Sequence, residues 1–130
     1  MLLFAMCALW AQDQKEQAPA KGQEYKIPPE DAAKVNPIKS SPESLNKGKK
    51  LYGIDCAMCH GENGDGKGDM AADLKNVSDF TKPDTLKNRT DGELFYEIRK
   101  GKGDMPPEGD RAKNDDIWNV VNYVRSLAKK

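Results

Sequence analysis

The feature that most constrains this 130-residue chain is the pentapeptide Cys56-Ala57-Met58-Cys59-His60. The chain has three Cys and one His, so the pentapeptide holds two of the three Cys and the only His. Residues three positions apart are neighbours on a helix surface, so the two thiols point to the same side of a helical turn. Three chemically versatile side chains therefore lie together on one short segment.

The spacing C-x-x-C-H is typical of covalent haem c attachment. Two thiols so placed can each form a thioether with a vinyl group on one haem edge, and His60 then supplies an axial nitrogen to the iron. A structural zinc site would need four ligands, but the chain has no second His, and its remaining cysteine, Cys7, lies in an apolar N-terminus. A thioredoxin-like dithiol would begin a helix that follows a strand, whereas this pair follows a predicted helix. The pattern therefore predicts one haem c, bound through Cys56 and Cys59.

An iron with one axial histidine needs a second ligand or keeps an open face. A second imidazole from the same chain is excluded, and methionine is the next candidate. Met58 lies between the two cysteines and Met70 only ten residues after His60, which keeps both on the proximal side of the ring. Met105 follows His60 by 45 residues and lies in the Pro-stiffened loop Gly103-Asp104-Met105-Pro106-Pro107. We predict Met105 as the second axial ligand, with Met70 as the alternative.

Composition divides the chain into three parts. Residues 1–11 (MLLFAMCALWA) are apolar and uncharged, which predicts a signal peptide, truncated at its start, and export to the periplasm. We expect cleavage after Ala11, with lipid attachment at Cys7 or a retained N-terminal membrane anchor as alternatives. Residues 12–41 are rich in Gln, Lys, Glu, Ala and Pro and predict a flexible polar tether. Its later part carries spaced apolar side chains that can dock on the domain, namely Tyr25, Ile27, Val35 and Ile38.

Residues 42–130 predict an all-α domain, because no segment alternates with period two. Ser41 and Pro42 begin a helix over about 42–54. The capping box at 90–93 begins a second helix that Gly101 ends, and Asn114 caps a last helix through about 128. Hydrophobic residues make up only 37% of the chain and aromatic residues 7%, so a covalently held cofactor would enlarge a small core.

From Ser44 to the C-terminus the sequence resembles the class I monohaem cytochrome c family of the small bacterial kind. The shared segments are, in order, Gly48-x-x-Leu51-Tyr52, CAMCHG at 56–61, the Gly-Asp-rich loop, Asp79-Phe80, Thr90–Leu94, Gly101–Pro106 and Ile117–Arg125. The resemblance implies a cytochrome c fold of four to five helices around one haem, with His60 and Met105 as axial ligands. It also implies that the first and last helices cross closely at Gly48, with Tyr52 and Tyr123 packing at the crossing.

One departure from the family concerns the neighbourhood of His60. Relatives usually carry a Pro in the stretch after the haem motif, where a carbonyl accepts the N–H of the axial histidine. Residues 75–78 here are Lys-Asn-Val-Ser, without Pro, so the sequence does not identify that carbonyl. Such hydrogen bonds tune the basicity of a ligand and the reduction potential of the metal.

The predicted site is that of an electron carrier and not of an enzyme. Two protein ligands fill the iron, and no second His or Arg pair flanks Met105 as acid–base groups. We expect a monomer that carries single electrons in a respiratory chain, from a quinol-oxidising complex to a terminal oxidase or another reductase. The alternatives are a subunit docked to a larger redox complex through residues 12–41, and a sensor or enzyme in which Met105 dissociates.

Charge and hydropathy restrict the partners further. The chain has 21 Lys and Arg against 21 Asp and Glu, whereas a nucleic-acid-binding domain would be basic. We therefore expect no nucleic-acid partner. No apolar run reaches the roughly 20 residues of a membrane-spanning helix, so we expect no transmembrane span in the mature chain.

Overall fold

Helices make up the regular structure of the described chain. The structure is a computed structural model that describes residues 24–130; the predicted signal peptide at 1–11 and residues 12–23 of the predicted tether lie outside the described residues. The elements are α1 (Pro29–Ala32), α2 (Pro42–Asp55), α3 (Ala57–His60), a 3₁₀ turn (Ala71–Asp73), α4 (Asp91–Lys100) and α5 (Asn114–Ser126). Within 24–130 the only β-type pairing is an isolated bridge between Lys102 and Met105. The predicted all-α class is confirmed.

Two of the long helices begin where local chemistry predicts. The Ser41 hydroxyl accepts a hydrogen bond from the Ser44 amide at 3.1 Å, and Pro42 occupies the first helical position of α2. At α4 both bonds of the capping box form, since the Thr90 amide donates to the Glu93 carboxylate and the Glu93 amide donates to the Thr90 hydroxyl. These bonds satisfy amides that have no partner inside their helices.

The start of α5 differs from the prediction. Lys113, and not Asn114, is the N-cap residue, because the Asp116 carboxylate accepts the Lys113 amide at 3.1 Å. The Asn114 side chain instead accepts a hydrogen bond from the Arg99 guanidinium at 2.6 Å. That bond links the start of α5 to the end of α4.

The fold is centred on the close crossing of α2 and α5. A Cβ atom added at Gly48 would lie 2.2 Å from the Asn119 carbonyl oxygen, so only glycine permits this approach. The rings of Tyr52 and Tyr123 meet edge to face at 5.1 Å between centroids. The crossing that the family resemblance implied is confirmed. The buried core around it is Tyr52, Leu94, Phe95, Ile98, Ala112, Ile117, Trp118, Val120, Val121, Tyr123 and Val124.

Residues 24–40, which we call the N-terminal arm, pack on this domain instead of extending from it. The Asn36 side-chain amide donates to the Trp118 carbonyl and the Asn122 side chain on α5, at 3.1 and 2.9 Å. The Thr90 hydroxyl donates to the Ala32 carbonyl at 2.6 Å. The described part of the predicted tether is therefore docked, because its polar groups find partners on the domain. The short helix α1 within the arm was not predicted.

The arm uses most of its spaced apolar residues for docking. Tyr25, Ile27 and Ile38 are partly buried, whereas Val35 is 83% exposed. Among residues 24–130, no helix has both the length and the apolar character needed to cross a bilayer.

Candidate haem site

The C-x-x-C-H motif forms one helical turn at the end of α2. Cys56 is the hinge, since its amide bonds back to the Tyr52 carbonyl while its own carbonyl accepts the His60 amide, both at 2.9 Å. Cys56 and Cys59 are partly buried free thiols. The turn thus presents two unpaired thiols and one imidazole, as the spacing predicts.

The glycine-rich loop after the motif wraps around this turn and caps it. The amides of Gly66, Gly68 and Met70 donate to the carbonyls of His60, Cys59 and Met58, at 2.8, 3.0 and 3.0 Å. A Cβ atom at Gly68 would lie 2.3 Å from the Met58 carbonyl oxygen, so the two backbones are in direct contact. These bonds satisfy the last carbonyls of the helix, which have no partner within the helix itself.

The same wrapping places Met70 next to Met58. Both side chains are about half exposed, at 46% and 52%. Neither belongs to the apolar side chains that pack against the core. That both lie on the proximal side of the ring stays a prediction.

His60 is held by a backbone carbonyl that the sequence did not identify. Its Nδ1 lies 3.2 Å from the Ser78 carbonyl oxygen, and its ring stacks on Phe80 at 4.6 Å between centroids. A carbonyl can only accept, so Nδ1 carries the proton and Nε2 keeps its lone pair for a metal. Burial lowers the pKa of His60, and the bond to Ser78 opposes this shift only in part. The site therefore holds a neutral imidazole of fixed orientation.

The Ser78 carbonyl is positioned by the loop and by a turn that follows it. A Cβ atom at Gly66 would lie 3.2 Å from this carbonyl oxygen, and the Phe80 amide donates to the Gly64 carbonyl at 2.7 Å. The Asp79 carboxylate accepts the Thr81 amide at 2.9 Å. The sequence feature that could have predicted this turn is Asp-x-Thr, because an Asp side chain often bonds the backbone two residues ahead and so reverses the chain.

Met105 lies at the end of a closed turn. The Lys102 amide donates to the Met105 carbonyl at 3.0 Å, and the Met105 amide donates to the Lys102 carbonyl at 2.9 Å. Gly101 begins this turn with a φ of 77°, and a Cβ atom there would lie 2.7 Å from the Met105 carbonyl oxygen. The turn thus holds the Met105 backbone in a fixed place.

The structure brings two of the four predicted site residues, Cys56 and Met105, onto one core, and His60 reaches the same core through Phe80. Met105, Cys56 and Phe80, the residue on which His60 stacks, are all partly buried and pack against the hydrophobic core. The complete set of such side chains is Ile38, Leu51, Cys56, Ala57, Phe80, Leu86, Met105 and Leu127.

The donor set fits haem c better than zinc or a redox dithiol. Within residues 24–130, no three His, Cys, Asp or Glu side chains converge on a point where they could hold a metal ion. Burial, with Glu108 and Asp55 nearby, raises the pKa of the Cys56 thiol to about 12, whereas a reactive dithiol cysteine has a lowered pKa. A haem instead needs two unpaired thiols on one turn and a neutral imidazole with a free Nε2, and these residues provide both.

Comparison with known proteins gives the family. The family described as "Cytochrome C oxidase, cbb3-type, subunit III" matches residues 43–124. The chain belongs to this family of c-type cytochromes. The cytochrome is 35% identical over 92 residues to cytochrome c6 of Cladophora glomerata. This alignment covers 66% of this chain and 91% of the relative. It is 29% identical over 93 residues to the cbb3-type oxidase subunit CcoP of Rubrivivax gelatinosus. This alignment covers 70% of this chain and 28% of the relative.

Solved structures agree with the family. The cytochrome matches cytochrome cL of Hyphomicrobium denitrificans with a TM-score of 0.53 and 30% identity, over 66% of this chain and 48% of that one. It matches a chain of the Kuenenia stuttgartiensis reducing HAO-like protein complex with a TM-score of 0.63 and 25% identity, over 72% of this chain and 47% of that one. The predicted class I cytochrome c fold and the covalent haem c are confirmed, and the chain is a c-type cytochrome that carries electrons.

Proposed function

We propose that this cytochrome is a periplasmic one-electron carrier of a respiratory chain, with His60 and Met105 as the axial ligands of one haem c. The observation that carries the proposal is the pairing of two held ligands: His60 has Nδ1 on the Ser78 carbonyl, and Met105 ends a closed turn that packs on the same core as Cys56. Ligands that are held in both oxidation states favour electron transfer over catalysis.

The chain's own residues have distinct roles at the site. Haem c, when bound, supplies the one-electron Fe(III)/Fe(II) couple. Cys56 and Cys59 anchor it covalently, and the Ser78 carbonyl orients His60 and raises the basicity of its Nε2. A thioether such as that of Met105 raises the reduction potential relative to a second nitrogen ligand.

We propose a quinol-oxidising complex as the electron donor and a terminal oxidase or another reductase as the acceptor. The match to 91% of the length of a cytochrome c6 supports a small carrier, and we propose that it is a monomer. The formal net charge of zero gives no long-range steering. Docking would then depend on local charges and on apolar contacts.

A second candidate is a haem-bearing subunit of a larger redox complex. The family description names an oxidase subunit, two relatives are cbb3-type oxidase subunits, and one structural match is a chain of an HAO-like complex. A subunit would co-purify with its partners from the native membrane or periplasm, whereas a carrier would elute alone as a monomer.

The axial assignment is tested by two matched variants of the exported protein. Met105→Ala should abolish the weak near-red band of Fe(III)–Met coordination, lower the reduction potential and let the reduced protein bind CO. Met70→Ala removes a half-exposed methionine and should leave all three properties unchanged. The opposite pattern would transfer the ligand role to Met70.

A further inference from the structure

We propose that Tyr25 of the N-terminal arm is a positioning residue for the Met105 turn and helps to keep the thioether on the iron. The inference rests on the proposed function, because it takes Met105 as the second axial ligand. It assigns to the arm a role in the site that neither the haem motif nor the family match provides, since the family match begins only at residue 43.

Tyr25 contacts the two residues that begin the Met105 turn. Its hydroxyl donates to the Gly101 carbonyl at 2.9 Å across 76 positions of sequence. The Lys102 ammonium lies over the Tyr25 ring, 5.2 Å from the ring centroid. Since Lys102 exchanges both backbone hydrogen bonds with Met105, Tyr25 is one residue removed from the ligand.

The turn has little freedom to move independently of Gly101. The Gly101 amide is fixed to the Glu97 carbonyl at the end of α4, at 2.8 Å. A Cβ atom at Gly101 would lie 2.7 Å from the Met105 carbonyl oxygen and 2.9 Å from the Pro107 nitrogen. The Tyr25 hydroxyl bonds the carbonyl of the same residue. Because Gly101 is packed against the Met105 backbone, a displacement of Gly101 would displace Met105.

The arm that carries Tyr25 is itself held against α4. Gly92 on α4 brings the arm so close that a Cβ atom there would lie 2.2 Å from the Asp31 carbonyl oxygen. The Thr90 hydroxyl bonds the Ala32 carbonyl, and the Tyr25 ring meets Tyr96 edge to face at 6.3 Å. Burial, with the Glu97 carboxylate nearby, raises the pKa of the Tyr25 hydroxyl, so it stays protonated and remains a donor.

The test compares Tyr25→Phe with Tyr96→Phe in the full-length haem-loaded protein. Each variant keeps its ring and loses one hydroxyl, but the hydroxyl of Tyr96 has no hydrogen-bond partner among residues 24–130, so it serves as the control. Imidazole is titrated into the oxidised protein, and loss of the near-red band reports its replacement of Met105. Apparent imidazole affinity rises with the fraction of protein in which Met105 has dissociated.

We expect Tyr25→Phe to bind imidazole roughly two- to tenfold more tightly than the unmodified protein, which is the effect of losing one neutral hydrogen bond. Tyr96→Phe should stay within about twofold of it. Equal affinities for Tyr25→Phe and the unmodified protein would overturn the inference, and so would equal shifts in both variants. If Met105→Ala keeps the near-red band, the ligand assignment itself is wrong and the role of Tyr25 fails with it.

Discussion

At the residue scale, the missing side chain of Gly48 sets the distance between α2 and α5. We predict that Gly48→Ala lowers the free energy of unfolding by about 1–3 kcal/mol, because its Cβ would meet backbone and the helices must separate. Gly53 lies on the same helix with nothing within 4 Å of an added Cβ. Gly53→Ala should therefore raise the unfolding free energy by up to about 1 kcal/mol, through helix propensity alone.

Denaturant unfolding of the two haem-loaded variants, side by side, measures this difference. Equal stabilities would mean that the helices do not meet at Gly48 as the structure shows.

Glu108 is a buried carboxylate with an unmatched oxygen. Its side chain is 9% exposed, and within the described chain its Oε2 has no hydrogen-bond partner. Burial first, and then the nearby Asp55 carboxylate, raise the pKa of Glu108. Because the pKa is raised in the folded state, the contribution of Glu108 to the free energy of unfolding is most favourable below about pH 4.3, the ordinary Glu value. This contribution is lost as the pH rises through the pKa of the folded state.

We therefore predict that Glu108→Gln raises the free energy of unfolding at pH 7 by about 1 kcal/mol. The advantage should shrink as the pH approaches 4.3, when the native carboxyl is protonated as well. The control is Glu43→Gln. Glu43 is exposed and Lys47 lowers its pKa, so this variant should have a slightly lower free energy of unfolding than the unmodified protein at pH 7. Unfolding curves at several pH values decide the matter, and a Glu108→Gln variant less stable than the unmodified protein at pH 7 would contradict the prediction.

At the element scale, the arm and α4 are joined through Gly92. We predict that Gly92→Ala releases residues 24–33 from α4, because its Cβ would meet the Asp31 and Ala32 carbonyls. Amide hydrogen exchange in this segment should become at least tenfold faster, as expected when a docked segment opens locally. Exchange in α5 should change little. Unchanged protection of residues 24–33 would show that the arm is not held there.

The elements that the sequence predicted are those whose ends are encoded locally. The Ser41–Pro42 start of α2 and the capping box of α4 depend on residues within three positions of each other, so a reader of the sequence can place them. The docking of the arm depends on bonds across 58 to 86 positions, such as Thr90 to Ala32 and Asn36 to Asn122. No local pattern encodes such pairs, so the sequence predicts a polar tether whose apolar side chains can dock, but it does not identify the residues that the arm contacts.

The same division applies to the site. The haem-anchoring residues follow from the spacing of one pentapeptide, but the carbonyl that holds His60 comes from Ser78, 18 positions away. Every residue has a backbone carbonyl, so no side-chain type marks the one that accepts the His60 N–H. Which carbonyl reaches His60 depends on the path of the loop.

At the scale of the whole molecule, we expect the haem to enlarge the core. Cys56, Phe80 and Met105 are partly buried and pack against the core. We predict that replacing both Cys56 and Cys59 by Ala leaves the domain largely unfolded, because the covalent cofactor that favours the folded state is lost. Far-UV circular dichroism should show loss of more than about half of the helical signal, since folding is cooperative in domains of this size.

Met58→Ala is the matched control for that experiment. Met58 lies inside the same pentapeptide but is 52% exposed and has no thiol to form a thioether with haem. This variant should retain haem and helicity. A helical, haem-free double-cysteine variant would show that the chain folds without its cofactor.

The most direct test of the account is the optical spectrum of the exported protein, oxidised and reduced, before and after acid–acetone extraction. We predict that the haem stays with the polypeptide, that the oxidised form shows the near-red Fe(III)–Met band, and that the spectrum titrates reversibly as a one-electron couple. Haem that is extracted into acetone, or is absent, would contradict covalent attachment through Cys56 and Cys59. Attached haem without the near-red band would contradict the ligation by Met105.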